Sequence, residues 1–85
     1  MITITGKLVR VVAIGSETTG WAVELDSPLE ADGKKRNRIE IDPDGKKIDG
    51  LNNKRVEIVG TLQKRSGIER KEYWILMVNK IQEIK

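Results

Sequence analysis

The sequence predicts an all-β domain built as a five-stranded antiparallel barrel, and three observations carry that prediction. Residues 51–62, LNNKRVEIVGTL, open on turn-forming asparagines and then alternate Val56, Ile58, Gly60 and Leu62 against Arg55, Glu57, Val59 and Thr61. That period of two marks a strand with one buried face. The apolar residues, 38% of an 85-residue chain, are mostly Ile, Val and Leu with no Phe, and β-branched side chains suit strands better than helices. Finally, the alternating segments are bounded by clusters of Gly, Pro, Asn and Asp that favour turns.

Taken in order, residues 1–14 (MITITGKLVRVVAI) form the first strand, long enough to curl through a barrel, with Gly6 as its bend. Gly15 to Gly20 is a turn cluster. Residues 21–26 alternate with Trp21, Val23 and Leu25 facing inward, which makes Trp21 a core residue. Pro28, Gly33 and dense charge read as a loop over residues 27–37, and Ile39 and Ile41 mark a third strand over 38–42. Asp42-Pro43-Asp44-Gly45 ends it as a turn. Residues 46–53 hold at most one helical turn, with Ile48 and Leu51 plugging the barrel floor. The fourth strand covers 54–62 with Gly60 as its bend, and 63–71 is a polar loop. The last strand spans 72–84 around the apolar run Tyr73 to Val78. Trp74, Met77, Ile81 and Ile84 also fall near helical spacing, so an α+β domain with a C-terminal helix is the competing reading there.

Gly6 in the first strand, the pattern Leu51-x-x-Lys54-x-Val56-x-Ile58-x-Gly60-x-Leu62, and the closing Trp74 to Val78 with Ile81 and Ile84 resemble an OB-fold barrel. The chain looks like the small stand-alone OB-type domains of prokaryotes, many of them without an assigned function. An SH3-like barrel is the alternative five-stranded arrangement, though its early strands are short where residues 1–14 are long.

The chain has no cysteine and no histidine, which removes disulfides, thiolate metal sites and the usual general base near neutral pH. Ser16, Ser27 and Ser66 all fall in turns or loops with no base at motif spacing. The expectation is therefore a non-catalytic protein without cofactor or metal. Asp42, Asp44 and Asp49 are close in sequence, but Lys46 interrupts the calcium-loop pattern and the turn reading prevails. No leader-like segment precedes residue 6 and no apolar run is long enough to span a bilayer, so a soluble cytoplasmic domain with no membrane partner is expected.

Two basic stretches carry what functional signal there is. Lys34, Lys35, Arg36 and Arg38 put four positive charges in five residues at the start of the third strand. Lys64, Arg65, Arg70 and Lys71 outweigh Glu69 in the 63–71 loop. The OB resemblance implies that such loops border a single-stranded nucleic-acid surface, where cations meet phosphates and an aromatic platform stacks bases. Tyr73 and Trp74 lie on opposite faces of one strand, so one of them faces outward as that platform. Against this stand Glu24, Asp26, Glu40 and Asp42, which line the outer face of strands two and three and are available to pair with the basic residues. The rival function is a protein–protein interaction domain that uses a strand edge or the 63–71 loop.

Overall fold

The computed structural model describes residues 1–11, 20–31, 33–66 and 72–84. Among the described residues five strands follow one another: β1 (Ile2–Arg10), β2 (Trp21–Ala31), β3 (Lys34–Asp42), β4 (Arg55–Ser66) and β5 (Glu72–Glu83). A single 3-10 turn, Asp49–Leu51, stands between β3 and β4. The strands close into a barrel in the order β1-β2-β3-β5-β4. Among the described residues no helix is long and apolar enough to cross a membrane.

A closed ring of five strands cannot alternate direction all the way round, so at least one neighbouring pair has to be parallel. Here it is β3 with β5, from Glu40 opposite Ile75 to Asp42 opposite Met77. The other four pairings are antiparallel, as expected. Residues 72–83 pair with β4 along their length and residues 75–77 pair with β3 as well, which answers the helical alternative for that segment. Tertiary pairing decides here what periodicity left open.

Alternation sends Leu8, Val23, Ile39, Ile41, Val56, Ile58, Leu76 and Val78 into one core, with Trp21 closing over it. Burying each such aliphatic side chain contributes about 1.5–3 kcal/mol relative to exposure. Ile48, only 2% exposed, joins the core from the position that caps the start of the 3-10 turn, and Leu51 packs half-buried against the same core. Backbone bonds hold that turn in place: Asn53 donates to the Leu8 carbonyl at 2.7 Å and Leu8 donates to the Lys54 carbonyl at 2.9 Å. Asn53 sits at φ 66°, a left-handed turn that asparagine tolerates well.

The two glycines in the strands owe their place to close approach. A Cβ on Gly6 would fall on the Glu24 carbonyl oxygen and 2.8 Å from Val23 Cγ1. One on Gly60 would fall on the Met77 carbonyl oxygen and 3.0 Å from Leu76 Cγ. At Gly60 the β4–β5 register slips by one residue, so Val59 faces Lys80 and Gly60 faces Val78, leaving Asn79 as a bulge. Lys46 donates its ammonium to the Val78 carbonyl beside that bulge at 3.1 Å.

Two expected loops are corrected. Residues 27–31 and 34–37 continue β2 and β3 as a paired arm, with Leu29, Glu30 and Ala31 opposite Arg36, Lys35 and Lys34. Asp26, Ser27 and Pro28 fall within a register shift between Glu24 and Leu29 that takes Pro28 out of the ladder, so its missing N–H costs no bond. Gly33, at φ 75°, lies in the two-residue connection. Residues 63–66 likewise continue β4 and pair with 72–75. The expected turn at 15–19, the end of the first strand at 12–14 and the loop tip at 67–71 lie outside the described residues.

Candidate functional site

Placing the basic residues on strands changes how they are presented. Lys34, Lys35, Arg36 and Arg38 belong to β3 rather than to a loop. Lys34, Lys35 and Arg38 are exposed, and Arg36 is half-buried. Lys64 and Arg65 stand near the end of β4, directly opposite Trp74 and Tyr73 of β5. Carrying the β3–β5 register back two residues sets Arg38 at the level of Tyr73. The first half of β3, the end of β4 and the start of β5 thus share one end of the barrel. Arg70 and Lys71 lie outside the described residues.

Alternation along β5 separates the two aromatics. Trp74 follows the parity of Leu76 and Val78, packs half-buried against the core, and has the Lys64 ammonium 5.7 Å from its ring centroid. Tyr73 shares the outer parity with Ile75 and Met77 and is half-buried. Ile75 is buried as well, so β5 is covered on both faces along its apolar run. Of the pair, Tyr73 is the outward one.

Among the described residues no carboxylate forms an ion pair with the β3 cations. Glu30 faces Lys35 and Glu24 faces Arg38 across the β2–β3 ladder. Even so, Lys34, Lys35, Arg36 and Arg38 make no ion pair among the described residues. Arg36 Nε and Trp74 Nε1 are buried donors without a hydrogen-bond partner among those residues. Other carboxylates are committed elsewhere. Asp26 is bonded by Arg55, chiefly through the hydrogen bond from its guanidinium, which lowers the Asp26 pKa and raises that of Arg55. Asp42 accepts the Asp44 backbone N–H on one oxygen at 2.9 Å and the Arg65 guanidinium on the other at 2.9 Å.

The Asp44 bond is the larger cause and the Arg65 bond the lesser, and together they hold the Asp42 carboxyl below its usual range. This is an Asx turn closed by an arginine, with Asp44 and Gly45 at φ 54° and 79°. It accounts for the 42–45 acidic cluster as a structural feature. Arg65 also reaches Met77 Sδ and Gln63, so it is held against the barrel wall. Its link to Asp42 spans 23 residues and has no signal in the sequence. Trp21 is buried at 6% exposure with the Arg10 guanidinium 4.6 Å from its centroid, and Arg10 also reaches Asp49 at 3.8 Å. That cluster is a structural clamp at the opposite end.

Comparison with protein-family models, with curated proteins and with solved structures finds no match to this chain.

Proposed function

We propose that this chain is a non-catalytic binding module of OB type that takes single-stranded nucleic acid at the barrel end formed by β3, β4 and β5. The OB reading is supported by the strand order β1-β2-β3-β5-β4 with a parallel β3–β5 pair. The observation that carries the ligand reading is the set of four β3 cations without an ion-pair partner among the described residues, although two of them face glutamates. A phosphate backbone is the ligand whose charge matches a row of such cations, and release of its counterions drives the association.

In this reading Lys34, Lys35, Arg36 and Arg38 meet phosphates, with Lys64 contributing from β4 across β5 and Arg70 and Lys71 as further cations. Tyr73 stacks a base, and Trp74 supports it from the core side. Arg65 serves the wall rather than the ligand, because Asp42 already holds it. The outer face of β2 and β3 carries Glu24 and Glu40 with no aromatic, which directs the strand to the barrel end. The test is titration of a fluorescent single-stranded oligonucleotide at increasing salt. The expected result is a linear fall of log K with log salt, with a slope near 0.7 for each phosphate contacted. Absence of binding at low salt overturns the reading.

A further inference from the structure

A seam opens between β1 and β2. Their ladder joins residues 6–10 to residues 21–25, yet β1 begins at Ile2 and β2 continues to Ala31. Among the described residues, β1 is therefore paired over residues 2–5 on one side only, to residues 57–60 of β4. Across the seam, Asp26, Ser27 and Pro28 fall outside the β1 and β3 registers, and the Asp26 carboxylate accepts the Thr5 hydroxyl, which closes the seam on that side of the opening. Between these segments lies an open cleft of about 180 Å³, lined by Thr3, Ile4 and Thr5 from β1 and by Leu25, Ser27, Pro28 and Leu29 from β2.

Alternation fixes which backbone groups face the cleft. Leu8 turns both its N–H and its C=O toward residues 53 and 54, on the β4 side. Residues two apart along a strand point the same way, so Gly6, Ile4 and Ile2 share that direction. Thr3, beyond the last pairing with β2, presents its N–H and C=O to the seam. Residues 2–5, Ile-Thr-Ile-Thr, also lack the charges and prolines that protect exposed strand edges.

Volume and charge then select the occupant. Small-molecule sites usually enclose about 300–1,000 Å³, so this cleft has room for a single aliphatic side chain. Its lining carries no charge, which offers nothing to phosphates and matches an uncharged segment. An unpaired N–H and C=O on one strand residue match a peptide backbone. We propose that the β1–β2 seam is a strand-addition site, where an extended, uncharged peptide segment pairs with the Thr3 backbone and inserts one small apolar side chain into the cleft. The site is separate from the basic barrel end and independent of the nucleic-acid reading.

The test uses the whole protein, ¹⁵N-labelled, titrated with a blocked pentapeptide of alternating threonine and valine. Amide shifts are expected at residues 3–5 and 25–29, with slowed exchange of the Thr3 N–H. Thr3→Pro removes the seam-facing donor without touching the β4 ladder, so it is expected to fold and to weaken the peptide about tenfold. Should that variant fail to fold, Ser27→Trp fills the cleft from the exposed rim and is expected to abolish the shifts. Three results overturn the proposal: no shifts at millimolar peptide, shifts that survive Ser27→Trp, or shifts centred on residues 34–38. A mass that rises with protein concentration and reverts with Ser27→Trp also overturns it, because the occupant is then a second copy of this chain.

Discussion

Gly60→Ala adds a single carbon where β4 faces β5 beside the bulge. The new Cβ falls on the Met77 carbonyl oxygen and lies 3.0 and 3.2 Å from Leu76 Cγ and Cδ1. Leu76 is fully buried and the carbonyl belongs to the facing strand beside the bulge, so neither neighbour can swing away. Overpacking a well-packed core costs about 1–3 kcal/mol, and a clash with backbone belongs at the top of that range. For a domain of this length each kcal/mol lowers the melting temperature by roughly 4–8 °C, so a fall of about 12–24 °C is expected. Gly60→Val adds a stiff branched side chain and is expected to prevent folding. Gly50→Ala is the control, since a Cβ there meets nothing within 4 Å. Thermal unfolding followed by tryptophan fluorescence measures all three. If Gly60→Ala melts with the parent, the close approach of β4 and β5 at the bulge is wrong, and with it the barrel register.

Three further outcomes are expected. Ile48→Ala opens a cavity in the core and costs about 2–5 kcal/mol in chemical denaturation, whereas loss of less than about 0.5 kcal/mol would mean Ile48 does not pack in the core. The Asp42 pKa is lower in the folded protein than in the unfolded chain, so its contribution is complete above about pH 4 and is lost as pH falls through the folded value. Asp42→Asn therefore flattens the acid limb of the stability curve, and an unchanged limb contradicts the Asp44 and Arg65 bonds. Tyr73→Ala is expected to weaken oligonucleotide binding by roughly 1–3 kcal/mol. Trp74→Ala instead lowers the melting temperature, because that ring packs against the core; the reverse pattern would exchange the roles of the two aromatics.

What the sequence made legible follows from periodicity. Wherever one face of a strand is buried, as at Val56 and Ile58 or Ile39 and Ile41, alternation marks it, and those strands stand where alternation put them. Beyond the barrel rim both faces meet solvent, the alternation fades, and residues 34–37 and 63–66 read as loops although they are strands. Asp32-Gly33 between two extended segments is a two-residue hairpin signal that would have found the β2–β3 arm. Pro28 argued against strand there, and only the register shift around it shows how the ladder accommodates it. The apolar run in β5 hid which of Tyr73 and Trp74 turns outward, because a strand buried on both faces has no contrast to read. The Arg65–Asp42 pair is a long-range contact and leaves no local pattern. Gly60 was legible as a special position, but the reason, contact with the Met77 backbone, needed the register.

The most direct measurement of the functional account is a map of backbone amide shifts in the ¹⁵N-labelled protein as a single-stranded oligonucleotide is added at low salt. The account predicts shifts concentrated at residues 34–38, Lys64 and Tyr73, fading as salt is raised, with residues 3–5 unmoved. Shifts spread evenly over the surface, shifts centred on the β1–β2 seam, or no shifts at all would contradict it.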